Sequence, residues 1–169
     1  LLSEPFYGRI TRCLTKVEST DLPTAGVTVK DGNLVLYWNR EFCAGLVKEG
    51  PKKVKGLLKH EALHLVFEHC TTRRLNPHTV ANIAADCAII PEDELPNCGI
   101  WPGKKKLIES PDPIMQLIGG FPKGESQEWY FTKLMEDPNV QEALANGQGE
   151  GGGEPGDGEG GGLPGAMDD

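Results

Sequence analysis

The pattern that most constrains this chain is His60-Glu61-Ala62-Leu63-His64, set between Leu57-Leu58-Lys59 and Leu65-Val66-Phe67. Residues four apart on a helix lie one turn apart on one face, so both imidazoles point the same way while Glu61 is rotated by ~100°. A surface helix would more often carry Lys or Glu among positions 62, 63, 65 and 66. Here those positions are Ala, Leu, Leu and Val, and the segment reads as a buried helix with two ring nitrogens turned towards one internal partner. That partner is most simply a metal ion. With zinc, paired His ligands supply the metal site and a carboxylate beside them can take a proton from metal-bound water, so Glu61 reads as a general base.

A zinc ion of this kind usually has three protein ligands. The helix that carries the pair is expected from about Lys52 to Arg74, and Asn76-Pro77 then reads as an N-cap with proline at the first helical position, opening a helix over about 77–89. Two helices joined by so short a turn run back along each other. Counting about ten residues up from His64 and ten down brings Asp86 level with it. Asp86 lies in the apolar stretch Asn82-Ile83-Ala84-Ala85-Asp86-Cys87-Ala88, where an unpaired carboxylate would cost several kcal/mol. It is the leading third ligand. His69 is the rival, but it sits some 140° round an intact helix from His64 and would need a break in that helix to join the site. The same counting sets Asn82 level with His69 as a hydrogen-bond partner. Glu92, Asp93 and Glu94 read as solvated loop, and Cys70 and Cys87 as core thiols rather than a second zinc site.

Upstream, Phe6, Ile10, Cys13, Leu14 and Val17 have helical spacing, with Ser3 as N-cap and Pro5 in the first turn. Two β-rich runs around Asp31-Gly32 predict a hairpin over 27–38, since that dipeptide suits a two-residue turn. Asn39 caps a short helix carrying Phe42, Leu46 and Val47, which Gly50-Pro51 ends. Shorter helices are expected at Pro111–Ile118, Ser126–Met135 and Pro138–Ala145. The Lys104-Lys105-Lys106 run reads as exposed loop.

The chain carries 17 basic and 25 acidic residues, net −8. Six of the acids lie in the glycine-rich stretch 147–169, which has no base, leaving 19 acids against 17 bases in residues 1–146. Residues 1–146 are therefore expected to form one nearly neutral domain, and 147–169 a flexible acidic linker or tail. Without a basic excess, a nucleic-acid partner is not expected. No run reaches the ~18–20 apolar residues that cross a bilayer, so no membrane partner is expected either. The five cysteines include no Cys-x-x-Cys pair, a usage that fits free thiols in a reducing compartment and a cytoplasmic location.

The segments PFYGRITRCLTKVES, LVLYWNREF, LLKHEALHLVFEH, ANIAADCAI and SQEWYFTKL together resemble the metallopeptidase domain found N-terminal to a von Willebrand factor A-like domain. The resemblance covers about residues 1–135 and is most specific over His60 to His69 and Asn82 to Asp86. It implies an α+β, zincin-like fold, mainly helical, with a small sheet beside the metal helix. It also implies a zinc-dependent hydrolase with His60, His64 and Asp86 as ligands and Glu61 as base. A peptide or protein substrate, a C-terminal domain of the von Willebrand factor A type and a MoxR-type AAA+ ATPase are the partners it implies. The rival expectation is a zinc-bound module that works through such an ATPase or fused domain without hydrolysis.

Overall fold

The computed structural model describes residues 4–89, 117 and 120–146. Ser3, the helix expected at 111–118, the acids at 92–94, the lysines at 104–106 and the tail at 147–169 lie outside these residues or largely so. The described residues form an α+β arrangement of six helices and one three-stranded sheet.

Helix α1 (Pro5–Cys13) starts with proline in its first turn, where the missing N–H costs nothing. It is shorter than its apolar spacing predicts. Leu14 adopts an extended backbone, and Val17 belongs to strand β1 (Thr15–Glu18). The face that packs is made by Gly8 and Thr11, with Phe6 left 58 % exposed. The spacing signal came from residues that serve two different elements.

Strands β2 (Ala25–Lys30) and β3 (Asn33–Trp38) form the expected antiparallel hairpin, Lys30 opposite Asn33. Asp31 and Gly32 both have positive φ, 51° and 73°, as a two-residue turn matched to strand twist requires. β1 joins the other side of β3 in parallel, Thr15 opposite Val35, so the order is β1-β3-β2. Asn39 ends the sheet and starts α2 (Arg40–Glu49): its side chain accepts from Phe42 N–H at 3.1 Å and donates to Leu22 O at 3.0 Å. Gly50, at φ 132°, turns the chain directly into α3 (Pro51–Val66). Helix α4 (His78–Ile89) follows, then α5 (Gln127–Glu136), capped by Ser126, and α6 (Pro138–Ala145), capped by Asp137. Pro77 precedes α4 through a cis Asn76–Pro77 bond rather than opening it.

Two apolar clusters hold α3 and α4 in place. Val80 and Ala84 of α4 pack with Tyr130 and Leu134 of α5 and Val140 of α6. Val27 and Leu36 of the sheet pack with Leu14 and Cys70, against which Leu58 and Leu65 of α3 lie. One cluster thus anchors α4 to the helical layer, the other anchors α3 to the sheet, and the two helices meet between them. Cys70 and Cys87 sit in different clusters, the role in packing expected of them. Among the described residues no helix is long and apolar enough to cross a membrane.

Candidate metal centre

The helix bearing His60 and His64 stops at Val66, eight residues before the expected Arg74. Its end is built by backbone hydrogen bonds that reverse the chain: Glu68 N–H donates to Leu65 O at 3.1 Å and His69 N–H to His64 O at 3.0 Å, with Glu68 at φ 62°. This is the Schellman arrangement, in which the residue after the cap takes a left-handed conformation and the next one folds back over the last turn. Glycine or asparagine normally marks that position. Glu68 gives no such signal, so the helix end was invisible to pattern reading.

The reversal carries His69 back to His64. Their Nδ1 atoms are 3.2 Å apart and their ring centroids 5.4 Å, and His69 is buried. The break that His69 would need to approach the site is therefore present, yet it delivers His69 to the far nitrogen of His64. Asn82 is not its partner. The Asn82 amide lies 3.4 Å from His78 Nδ1, one turn earlier on α4.

On its other side His64 turns Nε2 towards His60 Nε2, 3.1 Å away, and towards Asp86 Oδ1, 3.2 Å away; Asp86 Oδ1 is also 3.2 Å from His60 Nε2. Three potential ligand atoms from α3 and α4 thus converge on one point, and among the described residues this is the group able to hold a metal ion. Asp86 reaches both histidines although the path differs from the helix count: residues 67–77 make the return, not a longer α3.

The donor set fits zinc on distance and on charge. Ligands ~2.0–2.1 Å from a tetrahedral ion lie about 3.3–3.4 Å from one another, close to the separations seen here. Two imidazole nitrogens and a carboxylate oxygen brought this close need protons or a cation between them. Burial alone would raise the Asp86 carboxyl, but hydrogen bonds from His60 and His64 outweigh it and hold the group well below the usual carboxylate range. Burial would lower His60, yet the hydrogen bond and charge of Asp86, helped by Glu61, raise it. His69 behaves oppositely. Burial, then the neighbouring charges of His64 and Arg73, push it down to about 4, so it is a neutral ring at neutral pH.

Glu61 is 5 % exposed and lies near enough to His60 for its charge to be felt. Its carboxylate is not among the three converging groups. Tyr130 is committed elsewhere in the fold. Its hydroxyl donates to Pro122 O at 2.8 Å, accepts from Glu125 N–H at 3.3 Å, and sits in the α4–α5 core.

Sequence reasoning missed two residues that border this centre. Arg73 pairs with Glu128, tying the segment after α3 to the first turn of α5. Gln127, 2 % exposed, donates through Nε2 to Ala81 O at 3.3 Å, bracing α5 against α4. A polar residue at a helix start reads as exposed, and only the docking of α5 on α4 buries it. In comparisons with family models, curated proteins and solved structures, the chain matched none.

Proposed function

We propose that this chain is a zinc metallopeptidase with a zincin-like core, in which His60, His64 and Asp86 hold the ion and Glu61 is the general base. The observation that carries the reading is the convergence of His60 Nε2, His64 Nε2 and Asp86 Oδ1 within 3.2 Å, with Glu61 buried on the same helix. Zinc in such a site supplies Lewis acidity and an acidified water. The chain's own residues do the rest. Asp86, held ionised between the histidines, offsets the ion's charge, while Glu61 takes a proton at its carboxylate and returns it to the leaving amine.

A peptide substrate needs a backbone to pair with, and among the described residues β2 is a sheet edge on the side of α3. Asn39 N–H donates to Thr24 O at 2.8 Å, and ladder bonds then alternate along the strand, so Ala25, Val27 and Val29 turn their backbone groups away from β3. Cys70 Sγ already donates to Val27 O at 3.3 Å. An extended substrate on this edge therefore binds beside Ala25 or Val29 rather than across the strand's middle.

The test joins metal and activity. Purified chain should hold one zinc, His64→Ala should lose it, and Glu61→Gln should keep it while losing cleavage of a peptide library. Glu61→Gln cleaving at the wild-type rate would remove Glu61 as the base, and zinc bound by the wild type with no cleavage would favour the rival reading: a zinc-bound module acting through a MoxR-type ATPase or a von Willebrand factor A-like domain. A cytoplasmic location and free thiols belong to the same proposal.

A further inference from the structure

His64 is held at both ring nitrogens, Nε2 by Asp86 and His60, Nδ1 by His69. His69 spends its Nδ1 on that contact, and its Nε2 is buried without a hydrogen-bond partner among the described residues. Gln127 is in the same position. Its Nε2 donates to Ala81 O, which fixes the orientation of the amide and leaves Oε1 as an acceptor, and Oε1 is likewise buried without a partner among the described residues. Both residues are more than nine-tenths buried.

Both also line one cavity of about 30 Å³, bordered by Arg74, His78, Asn82 and Ala85. A buried polar atom without a partner loses its hydration and gains nothing in return, so two in one wall call for an occupant. A space of this size admits a water or two and little else. The occupant must donate to Gln127 Oε1, which cannot donate, and must serve His69 Nε2 in whichever tautomer the ring adopts. Water does both. A cation finds two neutral donors there and the Arg74 guanidinium in the same wall.

We propose that a resident water bridges His69 Nε2 and Gln127 Oε1, and that Gln127 is thereby a positioning residue for His64. The bridge stands on the geometry alone; the positioning role rests on the zinc reading above. When His64 Nε2 binds the ion, its proton is on Nδ1 and is donated to His69 Nδ1. His69 then carries its own proton on Nε2 and donates it to the water, which donates to Gln127. Without metal, His64 Nε2–H donates to Asp86, His69 Nδ1–H donates to His64, and the water donates both to His69 Nε2 and to Gln127. Zinc binding thus reverses the direction of the chain while every member keeps its place. Outer-shell partners of this kind typically alter metal affinity by 10–100-fold.

The experiment uses the full chain labelled with ¹⁵N at histidine, without metal and with zinc chloride, read by long-range ¹H–¹⁵N correlation and by cross-relaxation from long-lived water. The ring C–H protons flanking His69 Nε2 should show a water contact in both states, and zinc should move the His69 proton from Nδ1 to Nε2. In Gln127→Met, of similar length but with only a weak thioether acceptor in place of the amide oxygen, the water contact should be lost or much weakened and zinc affinity should fall by about 10-fold with the fold retained. A protein side chain in the water's place overturns the bridge. A folded Gln127→Met with unchanged zinc affinity overturns the positioning role. If Gln127→Met does not fold, the wild-type water contact and tautomer decide alone. Wild type that binds no zinc overturns the functional reading and the positioning role with it, while the water contact in the metal-free chain still decides the bridge.

Discussion

Removing Asp86 and removing His69 should have effects of different size on zinc binding, and the structure says which is larger. Asp86 Oδ1 stands 3.2 Å from both His60 Nε2 and His64 Nε2, whereas His69 touches His64 at Nδ1, on the side away from the converging atoms. A zinc site is worth about 10–16 kcal/mol, so losing one of its three or four ligands costs about 3–5 kcal/mol, or about two to four decades in Kd. Loss of a partner that only orients a ligand costs about one to two decades. The assay is thermal unfolding at a free zinc concentration 100 times the wild-type Kd. There the ion stabilises wild type by about 2.7 kcal/mol, or about 5–10 °C in Tm for a domain of this size. For Asp86→Ala the same zinc is at most equal to the Kd and stabilises by no more than about 0.4 kcal/mol, about a degree. For His69→Ala the gain should lie between about 0.4 and 1.4 kcal/mol. His69→Ala abolishing the zinc shift while Asp86→Ala keeps most of it would refute the ligand assignment and make His69 the third ligand.

Glu68→Gly should raise Tm by a few degrees, because glycine removes the ~1 kcal/mol penalty of a side chain at φ 62°, less what is lost with the Glu68–Thr72 hydrogen bond; a clear drop would show that this contact outweighs the backbone term. Leu134→Ala should cost about 2–5 kcal/mol in urea unfolding, since Leu134 is fully buried between α4, α5 and α6, and a loss under 1 kcal/mol would mean that this cluster collapses around the gap. Glu128 is held down to about 2 by its hydrogen bond from Arg73, against some burial. A lowered carboxylate stabilises the fold above its unfolded pKa of ~4.5 and loses that contribution as pH falls towards about 2. Both side chains are about 35–47 % exposed, so the pair should contribute under about 1 kcal/mol. The stability gap between wild type and Glu128→Gln should shrink between pH 5 and pH 3, and a gap that widens instead would contradict the pairing.

Local chemistry made much of this chain legible before any coordinates. Asp31-Gly32 specified the hairpin turn because few other residue pairs accept positive φ twice in succession, and Asn39 announced a helix start through the hydrogen bond its side chain accepts. The i, i+4 histidines brought their nitrogens together for the same reason: helix geometry alone sets that distance. What needed tertiary structure was each feature whose cause lies far along the chain. β1 is a strand because β3 offers it a parallel edge, and its four exposed residues carry no alternating pattern to reveal it. Helix α3 ends at Val66 because the backbone folds back through a left-handed Glu68 while Cys70 is drawn into the sheet cluster, a balance of local strain against burial that residue type does not encode. Asp86 could be assigned to the site from its cost in apolar surroundings, but its placement between two imidazoles depends on α4 being anchored to α5 and α3 to the sheet. Gln127 and His69 came to share a cavity only because those two anchors close around them.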